Sequence, residues 1–106
     1  MDLMNFNDVV DNALLAFYES FPTPINIDPK TVGLSQEEPN RSDIRRPSYS
    51  AEWHKLADDV NHAITWLHNE GYLHGTESNM RFTLSAKGLI LLQQMKGVVI
   101  PRMLRD

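Results

Sequence analysis

Apolar side chains recur every three or four residues near the start of the chain. Phe6, Val9, Val10, Ala13, Leu14, Phe17 and Phe21 make one stripe, the spacing of an amphipathic helix over residues 5–20. Asp8, Asp11, Asn12 and Glu19 fall between them and face water. Asn5 reads as the N-cap, with Asp8 three residues later in the capping-box position. Phe21-Pro22-Thr23-Pro24 ends the helix, because proline lacks the donor for the ladder and pushes its predecessor toward an extended shape.

Ile25-Asn26-Ile27 alternates and predicts a short strand. Asp28-Pro29 pairs a capping residue with proline at the first helical position, which predicts a short helix over Pro29–Val32 stopped by Gly33. Residues 35–50 hold two prolines and four serines, with Ile44 and Tyr49 as the only large apolar or aromatic side chains. Little there can be buried, so this stretch reads as an exposed loop, either functional or disordered.

Ser50 caps the next helix, residues 51–70. Trp53, Leu56, Ala57, Val60, Ala63, Ile64 and Leu67 wrap into one broad apolar face, and Gly71 marks its end. Tyr72–His74 and Met80–Leu84 read as strands joined by turn chemistry at Gly75–Asn79. Ser85 caps a last helix from Ala86, with Leu89, Leu92 and Met95 facing inward and Ile90 and Leu91 beside them. Gly97 weakens that helix and Pro101 limits it. The tail, Val98 to Arg105, is apolar enough to pack on this chain or on a partner. The fold class is therefore mainly α with a small β-wing: about four helices and a two- to three-stranded antiparallel sheet.

At 106 residues the chain suffices for one domain, residues 1–106, and not for two. Hydrophobic residues at 42% and charged residues at 23% match ordinary globular usage, which argues against wholesale disorder. The absence of cysteine excludes disulfides, thiolate zinc sites and cysteine nucleophiles, and suits a reducing compartment. The first residues carry Asp2 where an export signal carries a base, and the apolar run Leu89–Leu92 is far too short to span a bilayer. A cytoplasmic location and no membrane partner are the expectation.

The net charge of −4 is unevenly spread. Residues 1–40 hold seven acids and one base, whereas residues 41–106 hold seven acids and nine bases. A polyanion would meet the second half.

Trp66-Leu67-His68-Asn69-Glu70-Gly71-Tyr72-Leu73 and Phe82-Thr83-Leu84-Ser85-Ala86-Lys87-Gly88-Leu89 resemble the winged-helix regulators of MarR-like and PadR-like kind. In those families a helix closes on a leucine, two residues, acid, glycine, aromatic, aliphatic run. The wing there ends in aromatic, any residue, leucine, threonine or serine, any residue, lysine, glycine. The likeness covers residues 50–96 and is looser over 5–33. It implies a winged helix-turn-helix-like fold and a DNA-binding transcriptional regulator. It also implies that the flanking helix 5–20 and the C-terminal tail form a homodimer, the alternative being that both cover their own core.

Two departures stand beside it. A helix-turn-helix joins its helices by a few residues, whereas 17 residues separate Gly33 and Ala51. The polar side of helix 51–70 mixes Asp58 and Asp59 with Lys55, a poor face for phosphates. As a DNA surface, Asn61, His62, Thr65 and Asn69 have the donors and acceptors that base edges require, and Arg41, Arg45, Arg46 and Arg81 would hold phosphates. The bland alternative is a solvated helix face beside a basic loop. Trp66 lies roughly 120° from the centre of the apolar face, taking 100° per residue. It either covers the edge of the core or, with Tyr49, anchors a protein partner. The second functional expectation is therefore a protein–protein interaction module without DNA binding.

His54, Asp58 and His62 share one side of the helix, but such a set rarely makes a metal site without more ligands and a supporting shell. No nucleophile elbow, phosphate loop or zinc-protease spacing occurs. The sequence predicts neither an enzyme nor a cofactor.

Overall fold

The computed structural model describes residues 2–38 and 48–105. Among the described residues, three α-helices flank a two-stranded sheet: α1 (Leu3–Ser20), α2 (Ala51–Asn69), β1 (Leu73–Thr76), β2 (Arg81–Leu84) and α3 (Ala86–Lys96), followed by a single 3-10 turn at Arg102–Leu104. No helix among the described residues is long and apolar enough to cross a membrane.

α1 begins two residues before the expected start. Asp2, not Asn5, is its N-cap, accepting from the Asn5 amide at 2.8 Å. Aspartate and asparagine cap equally well, so local chemistry alone did not choose between them. Starting at Leu3 adds one more apolar position to the stripe. Val9, Ala13, Leu14 and Phe17 are fully buried, and the helix packs against β2, α2 and α3. The middle of its apolar stripe is thus covered by its own chain, whereas Leu3 at its start stays exposed.

The segment after α1 is less regular than its sequence predicts. Only Ile25 pairs with the sheet, as an isolated antiparallel bridge to Phe82, with both amide-to-carbonyl bonds at 2.9 Å. The short helix expected at Pro29–Val32 is a run of turns instead. Asp28 does cap there, its carboxylate accepting from both the Thr31 amide and hydroxyl. The turns close at Gly33, at φ +77°, before a helical ladder propagates. Pro29 and Val32 are buried beneath them.

Ser50 caps α2, its hydroxyl accepting from the Trp53 amide at 3.1 Å. Val60, Ala63, Ile64 and Leu67 are buried, whereas Trp53, Leu56 and Ala57 are only half-buried. The expected apolar face is therefore filled over its second half. Trp53 instead stacks on Tyr49, with ring centroids 3.8 Å apart and planes 13° apart.

β1 and β2 pair antiparallel in the register Leu73↔Leu84 to Thr76↔Arg81. Gly75 and Thr76 extend the first strand, so the reversal falls at residues 77–80 rather than 75–79. At Gly75 a Cβ would lie 2.1 Å from the Arg81 carbonyl, so only glycine fits that close approach.

The hairpin joins α3 through one polar knot. The Ser85 hydroxyl accepts from the Gly88 amide at 3.1 Å and donates to the Gly71 carbonyl at 2.6 Å. The Ser85 amide donates to the Tyr72 carbonyl at 3.0 Å. On α3, Leu89 and Leu92 are buried, but Met95 and Ile90 are exposed. Only one inward ridge is filled there. In the tail Ile100 is buried and Tyr18 donates to the Val99 carbonyl at 2.6 Å, while the Val99 and Met103 side chains project into solvent.

Candidate functional site

Asn61, His62 and Asn69 are exposed on α2, and Thr65 is half-buried beside them. Arg81 is exposed on β2 opposite Thr76, its amide donating to the Asn79 side chain at 3.0 Å. Arg41, Arg45 and Arg46 lie outside the described residues. Over residues 50–84 the chain carries five acids, Glu52, Asp58, Asp59, Glu70 and Glu77, against Lys55 and Arg81 alone. A helix and hairpin of that balance repel phosphate at long range. Of the anions, Glu77 lies 3.5 Å from the His68 ring. Asp58 and His62 form no ion pair, and no group of three metal-ligating side chains gathers among the described residues.

The two residues expected to anchor a partner separate. Tyr49 is half-buried on Trp53, with His54 edge-on to the same indole at 5.3 Å. Trp66 keeps 46% of its surface exposed. It stands edge-on to Phe6 across the α1–α2 junction, with ring centroids 5.5 Å apart and planes at 85°. Tyr72 lies 6.4 Å from the same ring, tilted by 31°. The Trp66 ring thus covers the edge of the core and offers surface to solvent at once.

Asp2, Leu3, Phe6 and Trp66 line an open recess of ≈ 420 Å³. Leu3 is 72% exposed. The Tyr72 side of this surface is closed by Lys87, whose ammonium lies 4.4 Å from the ring centroid and donates to the Glu70 carbonyl at 2.6 Å. Along α2, Asp59, Trp66 and Glu70 fall within a 40° arc, taking 100° per residue, so the indole lies between two carboxylates on one strip.

Sequence reasoning missed Leu3 and Asp2 by placing the helix start too late. Extending the spacing of the stripe back from Phe6 reaches Leu3, so the signal was present. The meeting of Phe6 with Trp66 is a tertiary contact between residues 60 positions apart, which periodicity within either helix does not encode.

A second recess, ≈ 340 Å³ and nearly all apolar, opens between the hairpin, the start of α3 and the tail at Met103. Thr83 lines it, and its buried hydroxyl has no hydrogen-bond partner. Compared with known protein families, curated proteins and solved structures, the chain matches none.

Proposed function

We propose that the chain is a winged-helix domain that works as a protein-interaction module, docking through the face around Trp66. The fold reading is supported by the element order and by the Ile25–Phe82 bridge, which adds a rudimentary third strand beside the hairpin. The observation that carries the functional reading is Trp66 itself, nearly half exposed, braced by Phe6 and flanked by exposed Leu3. Rigid, partly exposed tryptophan with an apolar surround is the composition of an interface hot spot. The acidic balance of α2 and the hairpin argues for a protein over a nucleic acid.

A DNA-binding regulator is the second reading. The exposed set Asn61, His62 and Asn69, with Arg81 on the returning strand, favours it.

The two readings separate with two variants. Trp66→Ala removes the docking anchor and Arg81→Glu reverses the wing charge. Under the docking reading, Trp66→Ala loses the partner that co-purifies with the wild-type chain at native abundance while its far-UV dichroism is unchanged. Arg81→Glu keeps that partner. Retention of random duplex at low salt that Arg81→Glu abolishes and Trp66→Ala leaves intact contradicts docking and supports DNA.

A further inference from the structure

We propose that the partner is basic: the Phe6–Trp66 corner seats an arginine or lysine side chain of another protein, its aliphatic stem against the rings and its cationic head beside Asp2. The inference rests on the docking reading and adds the chemistry of the occupant.

Three observations converge on it. The corner has two aromatic walls at 85°, an arrangement that lets a long flexible side chain lie against one ring and along the edge of the other. Cations favour the negative faces of such rings, most of all indole. Asp2 lines the recess, one carboxylate oxygen accepting from the Asn5 amide, and Asp59 of α2 and Glu70, its C-cap, fall on the same side of the helix as Trp66. Of the basic residues near that strip, Lys55 lies 11 positions before Trp66, about 16 Å away along a helix rising 1.5 Å per residue, and His62 stands one turn before Trp66, 40° to the other side from Glu70. Finally, the fold already seats one ammonium in this way: Lys87 lies over Tyr72 at the border of the same surface and is held there by the Glu70 carbonyl. Lys87 is thereby engaged; among the described residues Asp2 makes no ion pair, its Oδ1 accepting only from the Asn5 amide, and Asp59 has Lys55 one turn before it.

An apolar partner without charge would desolvate these carboxylates without supplying a cation, which costs affinity. An acidic partner would add repulsion. A segment alternating leucine with arginine or lysine satisfies both the rings and the carboxylates, and Leu3 meets its apolar side chains.

Two 12-residue peptides of identical leucine content test this, one with arginine and one with glutamate at the remaining positions. Each is titrated into the ¹⁵N-labelled full chain while the two indole N–H resonances are followed. The arginine peptide is expected to move the Trp66 indole and leave that of Trp53 in place, with binding that weakens as salt rises. Asp2→Asn retains the helix cap, because asparagine caps as well as aspartate, and removes only the charge. It is expected to raise the Kd roughly two- to fivefold, as a partly exposed charge contact does. Asp2→Asn with Glu70→Gln raises it further, and Asp58→Asn, on another side of α2, leaves it unchanged.

Equal binding of the glutamate peptide, insensitivity to Asp2→Asn, a shift at Trp53 instead of Trp66, or no binding of either peptide overturns the basic partner. So does movement of the Trp66 resonance on concentrating the chain alone, which identifies a second copy as the occupant. If Trp66→Ala still loses the native partner under any of these results, the docking face stands and only the chemistry assigned to its occupant fails.

Discussion

The Ser85 hydroxyl donates to the Gly71 carbonyl at 2.6 Å across a separation of 14 residues. The same oxygen accepts from the Gly88 amide, so one small side chain closes α3 and ties the end of α2 to the wing. Ser85 is the one polar residue that is buried among the described residues. Ser85→Ala removes the cap and leaves the Gly71 carbonyl without that donor. The expected loss is about 2 kcal/mol, the sum of a typical cap and a carbonyl deprived of its bond. Urea unfolding followed by far-UV dichroism measures it.

Gly88 makes a steric prediction. A Cβ there would lie 2.2 Å from the Tyr72 carbonyl oxygen and 3.2 Å from a Leu84 methyl. α3 cannot approach the 71–72 segment with any larger residue in place. Gly88→Ala is expected to cost about 3 kcal/mol or more, as overpacking against backbone does at its upper range. Gly97→Ala is the comparison. Gly97 ends α3 at φ +69° with nothing within 4 Å of a would-be Cβ. It is expected to cost only the left-handed backbone penalty of roughly 1–2 kcal/mol.

Much of this framework is legible in the amino-acid sequence. Ser50 and Ser85 cap the two helices they precede because a hydroxyl two or three residues ahead of free amides has one obvious use. Gly71 and the hairpin follow from turn chemistry. The errors have one cause: local signals do not say what a neighbour will cover. Asn5 and Asp2 cap equally well by type, and the earlier start places exposed Leu3 on the rim of the recess that Phe6 and Trp66 line. Asp28-Pro29 carries a helix-start signature, but only three residues separate it from the Gly33 reversal, too few to offset nucleation. Trp53 and Met95 hold core-facing positions by period, yet Trp53 is only half-buried and Met95 is exposed; among the described residues Trp53 takes Tyr49 as its stacking neighbour. Of the surface residues, Trp66 was legible as anomalous from its angle. Its partner Phe6 was not, because it belongs equally well to the core stripe of α1.

Glu37 predicts a pH dependence. Its carboxylate accepts from the Ser50 hydroxyl at 2.6 Å and the Ser50 amide at 2.7 Å. Those bonds, the hydroxyl first, hold its pKa below the ordinary 4.5. A carboxylate whose pKa is depressed by folding stabilises the fold above its unfolded pKa. That contribution is lost as the pH falls from the ordinary value through the depressed one. Unfolding midpoints in urea measured from neutral pH down into the acid range should therefore show an acid-side decline that Glu37→Gln reduces. An identical decline in the variant places the proton uptake elsewhere. Because Glu37 is only half-buried, its share should shrink in high salt.

Photo-cross-linking from two positions of the full chain in its own cells is the most direct measurement of the docking face. A benzophenone side chain replaces Leu3, on the rim of the recess, or Asn61, which lies about 140° from Trp66 around α2 at 100° per residue. A protein adduct is expected from position 3, eliminated by Trp66→Ala, and none from position 61. A protein or DNA adduct confined to position 61, with position 3 silent, contradicts the docking face.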